Sequence, residues 1–147
     1  MPQLTDHFTQ EELGVLGCEP RLIDNAEFLA KTVLEGIRTH FGPVDIHCGY
    51  RDPAHNARVG GKPNSFHLFA DGHSAADLAS SHVSLPQVFD WIRLESKLPF
   101  DKVILEKNSA GSAACVHIQV DRLNKPRREA YIGGTGACQH YEPVEVQ

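Results

Sequence analysis

The sequence predicts an α+β fold, a small antiparallel sheet with helices packed on one side. Three observations carry that expectation. A long stretch with apolar residues every three or four positions comes early in the chain. Stretches that alternate apolar and polar residues follow it. Two of these, DKVILEK and ACVHIQVD, are joined by the turn-rich NSAGSA and read as a hairpin. Helix first and neighbouring strands after it is the order of an α+β arrangement. With 147 residues, 41% of them hydrophobic and 22% charged, the chain is expected to fold as one domain over 1–147 with a real core.

Each element has its own local reason. FTQEEL pairs Thr9 with Glu12 three positions later, a capping box that predicts a short helix. Leu22, Ala26, Leu29, Val33, Ile37 and Phe41 form the stripe of an amphipathic helix, which Gly42-Pro43 stops. VDIHCGYR alternates as a strand does. DPAHNARVGG reads as a helical turn opened by Pro53 and ended by Gly60-Gly61, and AADLAS as a second short strand. Ser84 caps a helix running to about Ser96, with Pro86 in its first turn and Val88, Phe89 and Ile92 on its buried side. After the hairpin, REAYI is expected as an edge strand. The tail from about residue 133, Gly-rich and then acidic, is expected to be loose.

Composition narrows the function. A net charge of −5 argues against nucleic acid or an anionic membrane surface as the main partner. No apolar run approaches the roughly 20 residues of a membrane helix, so no membrane insertion is expected. The opening MPQLTDHFTQEEL lacks the basic and apolar regions of a secretory signal, so synthesis in the cytoplasm is expected. Cys18, Cys48, Cys115 and Cys138 contain no CxxC pair, and free thiols are the expected state. Nine histidines in a chain of this length point towards metal or proton chemistry.

The histidines and aspartates concentrate in NSFHLFADGHSAADLA, residues 64–79, which holds His67, Asp71, His73 and Asp77. His117 lies far along the chain in CVHIQ. If Val116 and Ile118 face the core, strand alternation turns His117 to the other face, towards a cleft. A catalytic zinc takes three such side chains and keeps one position open. Spacing alone also leaves room for a solvated loop and a wet-face histidine.

The stretch CGYRDPAHNARVGGKPNSFHL…SAADL, followed by VILE and CVHIQ, resembles the M15 zinc peptidases. This is the D-alanyl-D-alanine carboxypeptidase and endolysin-type family, which shares a fold with the Hedgehog signalling domain. The matching residues are Gly49, Tyr50, Arg51, Pro53, Asn56, Gly60, Gly61, Asn64, Ser65, His67, Asp77, Glu106, Val116 and His117. DHFTQEEL and NKPRREAYI resemble the family's ends. The resemblance implies Zn2+ on His67, Asp77 and His117, with Glu106 as general base. It implies Arg51 as a catalytic and substrate-binding cation for a carboxylate or oxyanion, and Ser65 as a support for the first ligand or the substrate. Two spacings depart from the family: His67 and Asp77 lie three residues further apart, and the loop after Glu106 is longer. His73 and Asp71 are therefore alternative donors, and Cys115, on the face of His117, is a conceivable thiolate. The implied activity is hydrolysis of peptidoglycan stem peptides, as a carboxypeptidase or an L-alanyl-D-glutamate-type endopeptidase, in a monomeric phage or prophage lysis enzyme that reaches the wall after lysis or from a virion. The alternative is a non-catalytic wall-binding or virion module on the same fold. A small dipeptide hydrolase is a third option.

Overall fold

The computed structural model describes residues 2–134 and 140–147. An α+β fold results. Helix α1 (Pro20–Leu29) runs through a π-helical turn (Ala30–Leu34) into α2 (Glu35–Phe41). Strand β1 (Asp45–Cys48), helix α3 (Pro53–Arg58), a 3-10 turn (Phe66–Leu68), strand β2 (His73–Ala79) and helix α4 (Leu85–Leu94) follow. Strands β3 (Lys102–Lys107), β4 (Ala113–Asp121), β5 (Glu129–Gly134) and β6 (Tyr141–Val144) complete the chain.

The six strands form one sheet in the order β1-β2-β4-β3-β5-β6. All neighbours are antiparallel except β3 and β5. Helices cover one face. Ala26, Leu29, Val33 and Ile37 are fully buried, and so are Val88 and Ile92 of α4, which packs on β3 and β4. The sheet answers with Ala76 and Leu78, Val103 and Leu105, and Val116, Ile118 and Val120. Because side chains alternate along a strand, residues one step away on the central strands face the opposite side. In register, Asp77 pairs with His117 and His117 with Ile104. The pattern that builds the core therefore also sets Asp77 and His117 side by side on the uncovered face.

Several local expectations need correction. FTQEEL is a turn and not a helix. Thr9 and Glu12 do exchange their capping bonds at 3.0 and 3.1 Å, but Gly14 turns left-handed at φ 76° and reverses the chain. REAYI is not at the sheet's edge, because β6 pairs on its far side. Nor is the whole tail loose. β6 is itself an edge strand, which is where Pro143 is tolerated, and the end is tied down by bonds from Arg93 to Glu145 O and from Arg128 to Gln147 O, both 2.8 Å. The Gly-rich segment 135–139, with Cys138, lies outside the described residues. Among the described residues Cys18, Cys48 and Cys115 are free thiols, and no helix is long and apolar enough to cross a membrane.

Ser84 caps α4 as expected, with Gln87 completing a capping box. The helix is held to the sheet chiefly by Phe89, 1% exposed. Phe89→Ala should lower unfolding free energy by about 3–5 kcal/mol, the usual range for emptying an aromatic core position. Urea denaturation followed by far-UV circular dichroism measures it, and a loss below about 1 kcal/mol would contradict this packing.

Candidate metal centre

The uncovered face of the sheet forms the floor of a cleft of about 740 Å³, lined among others by Arg51, Ser65, His67, Asp77, Glu106 and His117. His67 comes from the 3-10 turn. Ser65 caps that turn by accepting the His67 backbone N–H at 3.2 Å. The Arg51 N–H donates to the His67 carbonyl at 2.8 Å, which ties the turn to the chain leaving β1. Between His67 and Asp77 the chain turns before entering β2. Phe69 and Asp71 adopt left-handed conformations, and Gly72 follows at φ 83°. The turn stays anchored because Asn25 donates to the Phe69 carbonyl at 2.8 Å.

Hydrogen-bond partners fix which nitrogen of each histidine faces the cleft. His67 Nδ1 lies 2.7 Å from the Gly49 carbonyl oxygen, which can only accept, so Nδ1 carries the hydrogen. In the neutral ring Nε2 is then a lone pair, 3.3 Å from Asp77 Oδ1. In His117 the nitrogens swap roles. Its Nε2 lies 2.7 Å from Gln119 Oε1. The Gln119 amide cannot turn round, because its Nε2 donates at 2.8 Å to Asp101, and Asp101 is gripped by Arg127 through two bonds of 2.8 and 2.7 Å. His117 Nε2 therefore carries the hydrogen, and Nδ1 presents its lone pair to Asp77 Oδ1 at 3.1 Å. The rings meet edge to face, 5.1 Å apart.

Two imidazole lone pairs and a carboxylate oxygen thus converge on one point. Acceptors so close repel unless positive charge lies between them, supplied by protons on the rings or by a metal ion. Burial alone would raise the Asp77 carboxyl, but its contacts with His117 and His67 outweigh this and hold it well below the ordinary carboxylate range. The far nitrogen of each ring is anchored, as it is in metal-ligating histidines, and the cleft supplies an open side. The donor set fits a divalent ion.

Cys48, which the sequence did not single out, is the other possible donor. Its sulfur, His67 and Asp77 each place one donor atom within 4.8 Å of the others. However, Cys48 Sγ lies 3.7 Å from His67 Nδ1, the nitrogen already committed to Gly49. Burial, and then the charge of Asp77, push its thiol up, away from the thiolate a metal takes. Burial with the charges of Asp77 and Glu106 pushes Cys115 up to about 12. His73 stays out of the group: it stacks on Phe66 at 3.8 Å and lies 3.4 Å from Asp121. Asp71 is an exposed turn residue.

Glu106 stands one row further along the sheet, opposite Cys115. Burial raises its carboxyl, a proton taken up by the His117 ring would offset part of that, and Asp77 adds to it. The chain Gln119–Asp101–Arg127 and the Gly49 carbonyl were not found by sequence reasoning. Nothing in local spacing marks a bond between residues 18 positions apart, or a role for a main-chain oxygen.

A model of the peptidase M15 family matches residues 6–119. No curated protein matches the chain.

Gln119→Leu keeps the volume at position 119 but removes the acceptor that fixes the His117 ring. Zinc affinity, measured by competition with a chromogenic chelator, should fall by about 10- to 100-fold, as for other outer partners of metal-ligating histidines. An unchanged affinity would show that the ring needs no such anchor.

Proposed function

The chain belongs to the peptidase M15 family, and on that premise we propose that it is a zinc-dependent peptidase cleaving peptidoglycan stem peptides. His67 Nε2, Asp77 Oδ1 and His117 Nδ1 hold the ion, and Cys48 does not. The observation that carries this reading is the meeting of two imidazole lone pairs with one carboxylate oxygen at the floor of an open cleft.

When bound there, zinc supplies a Lewis acid that polarises the scissile carbonyl and lowers the pKa of water towards about 7. The remaining work falls to the chain's own side chains. Glu106, half-buried at the cleft wall, takes the proton of the attacking water and passes it to the leaving amine. Its raised pKa suits the first half of that exchange, since a stronger base accepts the water's proton more readily. Arg51 lines the same cleft, and its planar guanidinium pairs with a peptide carboxylate or with the oxyanion of the tetrahedral state. Ser65 acts through His67, whose backbone N–H it already accepts.

The same surface supports a substrate that carries a carboxylate. Arg51, Lys62 and Lys102 line the cleft around the Asp77 and Glu106 carboxylates. A short peptide with a free carboxylate, cut close to that end, would find cations for its terminus and the candidate metal site in the same cleft. Hydrolysis next to a D-amino acid in a stem peptide, by a carboxypeptidase or an L-alanyl-D-glutamate-type endopeptidase of phage or prophage lysis, is the reading adopted.

Glu106→Gln should keep one zinc per chain by elemental analysis and lose about 10²- to 10⁴-fold in cleavage of purified stem peptides, the usual worth of a positioned base. His117→Ala should lose the ion as well. If wild type and Glu106→Gln both bind wall fragments and neither releases products detectable by mass, the protein is a binding module and the peptidase reading fails.

A further inference from the structure

The carboxylate of Glu106 is held from behind by the last two strands, which lie beyond the residues matched by the family model. Tyr141, at the start of β6, donates its hydroxyl to Glu106 Oε2 at 3.2 Å. Gly134, at the end of β5, lies against the same oxygen, and any side-chain carbon at position 134 would run into Oε2. Its φ of 138° also favours glycine. At Gly133 an added carbon would strike the His140 carbonyl, so the glycine pair lets β6 come close enough for Tyr141 to reach across. Tyr141 lines the cleft together with Glu106, Cys115 and His117. Burial and the neighbouring Glu106 charge hold its phenol up to about 12, so it remains a donor throughout the neutral range.

We propose that Tyr141 is a positioning residue for the peptidase reaction, fixing one oxygen of Glu106 so that the other is aimed at the attacking water. The inference rests on the reading of Glu106 as the general base. The terminal torsion of a glutamate is broad, so an unrestrained carboxylate spends only part of its time in a productive orientation. A donor on Oε2, with a glycine backbone closing the space behind it, removes that freedom. The proton balance is simple. Water loses a proton to Glu106 as its oxygen bonds to the carbonyl carbon, the C–N bond breaks, and the proton ends on the amine. Tyr141 keeps its own proton throughout.

The test compares zinc-loaded full-length wild type, Tyr141→Phe and a chain carrying 3-fluorotyrosine at position 141, each cleaving purified stem peptides. Tyr141→Phe should retain one zinc per chain and a KM within about twofold, while kcat falls by about 10- to 100-fold, the scale expected for a misaimed group. Its acid limb in kcat/KM should move to higher pH, because a hydrogen bond to the charged carboxylate is lost. Fluorotyrosine, a stronger donor of nearly the same shape, should move that limb to lower pH. An unchanged kcat and an unmoved limb in both variants would overturn the inference, and so would a rise in KM accounting for the whole loss in kcat/KM. If Tyr141→Phe does not fold, the fluorotyrosine comparison decides alone. A fully active Glu106→Gln would defeat the reading of Glu106 itself. An inactive Glu106→Gln beside indifferent Tyr141 variants would defeat this inference only.

Discussion

One carboxylate oxygen, Asp77 Oδ1, faces two ring nitrogens at 3.1 and 3.3 Å, and the surrounding structure serves that encounter. The opposite nitrogen of each ring is committed to a partner that cannot reverse its role: a main-chain carbonyl for His67 and an amide oxygen for His117. The first partner is itself pinned. Gly49 packs so tightly on Leu13 that an added Cβ would lie 2.5 Å from the Leu13 oxygen, and Tyr50 N–H donates to that oxygen at 2.9 Å. The second is pinned by Asp101 and Arg127. A cluster of lone pairs in a half-buried place is costly without a cation. The fold accepts that cost and invests three separate segments in keeping the lone pairs aimed.

The electrostatics divide along the sheet. Asp101 is exposed by only 3%. Burial works against its charge, and the bonds from Arg127 and Gln119 more than reverse that effect. Glu106 instead accepts the Tyr141 hydroxyl, and burial moves its carboxyl the other way. Two carboxylates, one just before β3 and one near its end, are thus driven apart in proton affinity, Asp101 downward by its bonded partners and Glu106 upward chiefly by burial. One is kept as a permanent charge for structure, and the other is left able to take up and release a proton. Such a separation is what the proposed peptidase chemistry calls for.

Much of this was legible in the sequence, for identifiable reasons. The amphipathic stripe from Leu22, the Ser84 cap and the hairpin are local signals, and local signals survive folding. Alternation in CVHIQ assigned His117 to the face opposite Val116 and Ile118, and both of those are fully buried. His67 and Asp77, chosen over His73 and Asp71 because the motifs around them are intact, do meet in space. What stayed hidden depends on distant segments. Gln119 becomes informative only when Asp101 is beside it, and Cys48 only when β1 lies against β2 at Asp77. The helix expected at FTQEEL failed because a capping box marks where a helix can start, while Gly14 five residues on decides that it does not. YEPV is too short, and too interrupted by proline, to announce itself as a strand.

Strand β4 has no spare side. Val116, Ile118 and Val120 are committed to the apolar interior, while Cys115, His117 and Gln119 line the cleft. Adding or deleting a single residue within it would exchange the two sets wholesale, turning imidazole inward and valine out. Length can change more freely where strands have ended, as at the 69–72 turn and the loop over 108–112. For anyone wishing to graft recognition segments onto this scaffold, those two ports are the natural docking points for new sequence, while the strands between them behave as a ruler of invariant length.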